Sequence, residues 1–236
     1  MKTITIKLTA PLQSYGNEAT FDRRTTRTYP SKSAMIGMIA AALGYARDDS
    51  RILELNRLSF AVRVDQPGKI LTDYQVVEWK KDKRKITYRD YLQDAVFVAA
   101  LGSEDSQLIS KIEAALHQPH FSLFLGRRSN APAGVIKVKI FKDSTPLSAL
   151  KKLNWQASTW YQKRHTDQKA IHVELIADAD LLPGYPSTMV KDRVISFDQR
   201  HRQYGFSPIA TTRLDLVNPC FKETDPSTTH DVMKFV

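Results

Sequence analysis

With 236 residues, a 42% hydrophobic fraction and a 25% charged fraction, the chain has the make-up of one large or two small globular domains with a real core, which excludes a disordered or low-complexity class. Its formal net charge of +10 points toward a polyanionic partner, provided that the cations cluster. The single cysteine, Cys220, excludes an intrachain disulfide and lacks zinc-site spacing. The longest apolar run, around residues 34–43, is too short for a bilayer span, so the reading is a cytoplasmic chain without membrane contact.

Residues 2–9 alternate as a strand through Ile4, Ile6 and Leu8, and a polar turn follows from Pro11 to Gly16. Arg23, Arg24 and Arg27 then lead to Pro30-Ser31-Lys32-Ser33. Met35, Ile36, Met38, Ile39, Ala42 and Leu43 recur at helical spacing, with Pro30 or Ser31 as a start signal and Gly44 as a stop. A basic loop feeding a helix N-terminus, with its unpaired N–H groups and positive dipole end, predicts an anion site. The spacing of a Walker A loop is missing, so nucleotide hydrolysis has no support.

Asp48-Asp49-Ser50 caps a short helix through Asn56, and Leu58 to Val64 reads as a second strand. Two extended arms, Leu71 to Trp79 and Ile86 to Tyr91, joined by the basic tip from Lys80 to Lys85, predict a β-hairpin over residues 70–91. Ala95 to Leu101 is an apolar strand. Ser103-Glu104-Asp105 opens a helix whose face is Leu108, Ile109, Ile112, Ala115 and Leu116. Phe121 to Leu125 resumes an extended pattern that ends in Gly126-Arg127-Arg128-Ser129, where glycine permits close backbone approach and two guanidiniums can fork onto phosphates.

Strands are predicted at Val135 to Phe141, Ala170 to Ile176, Arg193 to Phe197 and Arg213 to Val217, with residues 142–168 and 178–190 loop-rich. The element order fits an α+β fold, ferredoxin-like or RNA-recognition-motif-like, in residues 1–141 with the hairpin inserted. A C-terminal β-rich portion (142–217) packs on it, and a polar tail (218–236) follows.

Chemistry has little footing. His117 and His120 are separated by Pro119, and His165, His172 and His230 are isolated, so no metal or other cofactor is expected. No nucleophile motif appears, and no catalytic residue or small-molecule substrate is assigned. Phe97 to Leu101 does not supply the base-stacking pattern of an ordinary RNA-recognition motif, which leaves contact to loops and hairpin.

The phrases Ala10-Pro11-Leu12-Gln13-Ser14-Tyr15-Gly16, Pro30 to Gly44, Tyr88 to Ala95 and Leu125 to Ser129, in this order, resemble the CasD family, the Cas-five-type subunits of the type I-E CRISPR surveillance complex Cascade. The chain departs from that pattern at Asn130-Ala131-Pro132, where Cys-Pro is usual, and at Tyr15, where tryptophan is usual. The resemblance implies a RAMP-type fold and a non-catalytic role in antiviral defence: holding and capping the repeat-derived 5′ handle of crRNA beside the backbone and large subunits. RNA-binding candidates are Gln13, Ser14, Tyr15, Arg23, Arg24, Arg27, Ser31, Lys32, Ser33, Gly126, Arg127, Arg128, Ser129, Arg200 and Arg202. The hairpin becomes a thumb bearing Trp79, Lys80, Lys81, Lys83, Arg84, Lys85, Tyr88 and Arg89, with Tyr15, Trp79 or Tyr88 stacking on or wedging the strand. Two alternatives stand beside this. One is a metal-independent repeat endoribonuclease using the cluster Arg200-His201-Arg202-Gln203-Tyr204; the other is a generic basic RNA-binding protein.

Overall fold

The computed structural model describes residues 1–16 and 22–223. Most of the polar tail, from 224 onward, lies outside the described residues. Strand β1 (Lys2–Thr9) buries Ile4, Ile6 and Leu8 on one face and Thr3 and Thr5 on the other, so it is an interior strand covered on both sides. After β2 (Leu12–Gln13) and β3 (Arg23–Arg24) comes α1 (Lys32–Ala42), capped by Ser31, whose hydroxyl accepts from Ala34 N at 3.2 Å. The helix ends before Gly44, held at φ 78°.

The short helix α2 (Arg51–Glu54) runs through a 3-10 turn into β4 (Ser59–Gln66). The hairpin is β5 (Lys69–Lys80) and β6 (Lys83–Gln93), and its two-residue turn places Asp82 at φ 60°, a conformation that aspartate tolerates better than most residues. Next come β7 (Val96–Ser103), α3 (Ser106–His117) and β8 (Lys137–Phe141). Asp105 caps α3 by accepting from Gln107 N and Leu108 N, and the helix buries Ile109, Ile112 and Leu116.

All pairings of the large sheet are antiparallel. Its order is β10-β11-β9-β4-β7-β1-β8, where β9 (Ala170–Asp178), β10 (Ser187–Ser196) and β11 (Gln203–Val217) are the last strands of the chain. Within it, β8-β1-β7-β4 carries a β-α-β-β-α-β chain order. Helices α1 and α3 join Ile4, Ile6, Phe97, Ala99 and Leu101 in the main core. Helix α4 (Pro146–Lys152) covers the opposite face, where Leu150 meets Ala61, Val98 and Ala100.

Several expectations are corrected. Phe121 to Leu125 forms no strand. Residues 142–168 are not loop alone but hold α4 and α5 (Thr159–Lys163), the former starting on Pro146 with Thr145 as cap, which suits proline because the first helical N–H needs no partner. Residues 187–190 belong to β10, and β11 begins ten residues before Arg213. After residue 142, α4 lies on one face of the large sheet while β9, β10 and β11 extend it edge to edge, β9 pairing with β4 from Ala61↔Ala177 to Val64↔Glu174.

The link between α4 and β9 is anchored by a buried charge. Arg63 grips Asp65 in a bidentate pair through Nε (2.6 Å) and Nη2 (2.8 Å) and also donates to the carbonyls of Leu150, Leu153 and Asn154. Trp155 Nε1 donates to Asp65 O at 2.6 Å, so the 150–156 segment is fastened to β4. Among the described residues, no helix is long and apolar enough to cross a membrane.

Candidate nucleic-acid interface

The hairpin pairs with β2 (Leu12↔Gln93) and, in parallel, with β3 (Arg23↔Tyr88), forming a second, smaller sheet where the basic loops converge. Gln13 is fully buried, donating through Nε2 to Ala95 O and accepting from the Tyr15 hydroxyl, both at 2.7 Å. Tyr15 is 3% exposed and stands edge-on to Phe97, and burial pushes its phenol well above the ordinary range. Neither side chain offers a face to a base, which corrects the contact and wedging roles expected of them. Ser14 is likewise buried, donating to Asp90 O. These three residues form a scaffold beneath the site.

That scaffold locks the loop at Gly126. Ser14 N donates to Leu125 O at 3.1 Å, and a Cβ on Gly126, which sits at φ 92°, would lie 1.5 Å from Ser14 O. Asn130 closes the loop on itself: its N donates to Arg127 O, its O accepts from Leu125 N, and its Nδ2 donates to Leu125 O. The departure at this position is therefore a working clasp. Arg128 and Ser129 are exposed on the loop.

Arg127 turns back over the Tyr91 ring, 4.4 Å from its centroid, and Nη2 donates to Arg24 O at 3.0 Å. Arg24 is in register with Arg89, so three arginines gather at the base of the hairpin. Among the described residues, Arg127 Nη1 and Arg89 Nε are buried with no hydrogen-bond acceptor, as is Arg27 Nε nearby in the chain. Arg23 is held by Asp90, at 3.3 Å. Like charges brought together with unsatisfied donors call for an anion.

The anion site at the α1 N-terminus exists, but the protein fills it. Asp192 of β10 accepts from Lys32 N at 2.7 Å, from Ser33 N at 3.0 Å and from the Ser33 hydroxyl. Lys32 Nζ pairs with Asp178 at 2.7 Å, and Ser31 is spent as the cap. Burial raises the Asp178 carboxyl above its usual range despite Lys32. The expected phosphate contact of Ser31, Lys32 and Ser33 is thus corrected: a carboxylate some 160 residues along the chain takes the phosphate's place. No local pattern announces it.

On the hairpin, Trp79 is 65% exposed, with Lys83 Nζ 5.7 Å from its ring centroid. Lys80 and Lys81 are exposed at the tip, Arg84 pairs with Glu78, and Lys85 pairs with Asp22. Arg89 lies at the base with Arg24 rather than near the tip. Tyr88 belongs to an exposed apolar ladder, Tyr74 opposite Tyr88 and Val76 opposite Ile86, whose other members are no site candidates by sequence; the alternation of these four residues along the arms was its signal.

Arg200 and Arg202 are exposed on the bend between β10 and β11, where Asp198 accepts from Arg200 N. His201 is exposed there, its N–H closing the bend on Asp198 O. Tyr204 instead packs edge-on against Phe197, and desolvation raises its phenol above the ordinary value. Arg27 Nη2 reaches Lys191 O at 3.4 Å, so the β3 loop touches the last hairpin. Among the described residues, no group of three or more His, Cys, Asp or Glu gathers as a metal site.

Comparison with known proteins follows the same lines. A family model described as "CRISPR-associated protein (Cas_Cas5)" matches residues 3–208. The chain is 32% identical over 146 residues to CRISPR system Cascade subunit CasD of Escherichia coli (strain K12); the aligned part covers 52% of this chain and 64% of that relative, less than two thirds of its length. Among solved structures, a chain of a CRISPR RNA-guided surveillance complex matches with a TM-score of 0.75 at 25% identity, covering 99% of this chain and 98% of that one. A crystal structure of a Cas protein matches with a TM-score of 0.66 at 27% identity, covering 95% and 100%.

Proposed function

The chain belongs to the Cas5 family of CRISPR-associated proteins, and from that premise we propose that it is a non-catalytic RNA-binding subunit of a type I-E Cascade complex. It holds the repeat-derived 5′ handle of crRNA and caps that end of the assembly, next to the backbone and large subunits. The observation that carries this reading is the cluster of Arg24, Arg89 and Arg127, whose buried Arg89 Nε and Arg127 Nη1 lack acceptors among the described residues. Phosphate oxygens supply what these donors want, in the forked geometry that guanidinium prefers.

The inner strands, with α1 and α3, are read as a ferredoxin-like, RAMP-type unit in residues 1–141, and residues 142–217 as its C-terminal β-rich extension. The hairpin serves as a thumb, whose exposed ladder of Tyr74, Tyr88, Val76 and Ile86 suits protein docking while Lys80 and Lys81 face the strand. Cleavage has weak support because Tyr204 is turned inward and raised in pKa, leaving His201 without that partner for proton transfer.

The test is filter binding of CRISPR-repeat RNA, scrambled RNA and duplex DNA, together with reconstitution of the complex. Preference for repeat RNA that is lost in an Arg24→Ala, Arg89→Ala, Arg127→Ala variant supports the reading. Equal binding of all three nucleic acids by the wild type would leave only a generic basic protein.

A further inference from the structure

Beyond the arginine cluster, β1 and the segment that returns to it before β8 enclose a cavity of about 240 Å³, with Lys7, Thr9, Leu125, Pro132 and Lys137 in its walls. Lys7 and Lys137 stand directly opposite each other on antiparallel strands, and Lys139 follows on the same edge strand. Cβ atoms so placed are about 5 Å apart, and like charges in that position destabilise a sheet. The half-buried Lys7 ammonium is pushed below its usual value, first by burial and then by Lys137.

The carboxylate that acts favourably on Lys7 is Asp65, but it is already committed to Arg63 and to Gln156 N. Neither Lys7 nor Lys137 makes an ion pair among the described residues. The wall of this cavity is tied to the RNA-binding loop. Leu125 opens that loop, Asn130 clasps it, and Ala133 N donates to Thr9 O at 2.7 Å. Pro132 follows Ser129 by three positions, a span of at most about 11 Å. The geometry therefore puts two like charges beside a cavity, one loop away from the arginine cluster, with Asp65 shared with Arg63 and no carboxylate paired to either lysine among the described residues.

We propose that this cavity binds a phosphate group between Lys7 and Lys137. The inference rests on the RNA-binding reading for its main source of phosphate, the guide strand leaving the Arg127 loop; a free phosphate ion is the other source of the same chemistry.

The experiment uses the full chain and its Lys7→Gln, Lys137→Gln double variant. Repeat-RNA affinity is measured across a salt series, and thermal unfolding of RNA-free protein is followed with added inorganic phosphate. For an RNA phosphate, the double variant binds on the order of tenfold more weakly and its log–log salt slope is shallower by about 0.7. For a free ion, RNA binding is unchanged, but added phosphate raises the wild-type melting temperature and not that of the variant; this outcome also upholds the site. If the double variant matches wild type in both measurements, the proposal is overturned, and it is equally overturned if only assembly with partner subunits is lost, which would assign the lysines to an acidic protein surface. A wild-type chain that binds no RNA would sink the RNA reading alone, since the phosphate titration still decides this site.

Discussion

Asp192 on β10 lies across the first turn of α1, taking the Lys32 N–H at 2.7 Å and tying the last hairpin to the first helix. This carboxylate both neutralises the positive end of the helix dipole and satisfies donors that would otherwise need a ligand. Asp192→Ala is expected to cost about 1 to 3 kcal/mol of stability. Urea denaturation checks this, and an unchanged midpoint would show that the contact is not stabilising.

Gly126→Ala is expected to be damaging out of proportion to one methyl group. The new Cβ would lie 1.5 Å from Ser14 O at a φ of 92°, so the loop must shift or the backbone must strain. A loss above about 1 kcal/mol follows from the conformation alone, and RNA affinity should fall with it. A variant of wild-type stability and affinity would mean that the loop is not held as described.

The paired change Arg127→Ala, Arg128→Ala should weaken RNA binding while the fold persists, because Arg128 is exposed and Arg127, half-buried over the Tyr91 ring, gives up one hydrogen bond, to Arg24 O. Each charge-assisted bond to phosphate is worth about 1.5 to 3 kcal/mol before neighbours compensate. The wild type should also show a steep salt dependence, log K falling with log salt by roughly 0.7 per phosphate contacted. Circular dichroism and a salt series read both effects; RNA affinity insensitive to salt would remove the basis for the site.

Arg63→Met should be among the costliest single changes. It strands the buried Asp65 carboxylate and frees the carbonyls of Leu150, Leu153 and Asn154, a loss of about 3 to 5 kcal/mol. Adding Asp65→Leu should recover part of that loss. No recovery in the double variant would argue that the carbonyl contacts, and not the ion pair, carry the effect.

Wild-type protein and His201→Ala should both bind end-labelled repeat RNA without cutting it, with or without magnesium. His201 is exposed on a bend, and Tyr204, its nearest candidate partner in the chain, is turned onto Phe197. Specific cleavage that disappears in the variant would promote the endoribonuclease alternative.

One set of elements is written in local periodicity. The alternation of Ile4, Ile6 and Leu8, the helical recurrence from Met35 to Leu43, the caps at Ser31 and Asp105, and the paired arms around Lys80 to Lys85 all depend on neighbours within a few residues. The Gly-Arg-Arg-Ser loop was legible for the same reason. Which polar groups remained free depended on packing between distant segments. Gln13 and Tyr15 looked like loop contacts until Ala95 and Phe97 of β7 claimed them, and the α1 N-terminus looked like a phosphate site until Asp192 filled it. Arg89 joined Arg24 and Arg127 only through strand register and loop closure, and β9 met β4 across more than a hundred residues of chain. Spacing along a chain fixes which side chains share a strand or helix face; whether a charge meets water, a ligand or another part of the same chain depends on contacts between distant segments, which no local pattern encodes.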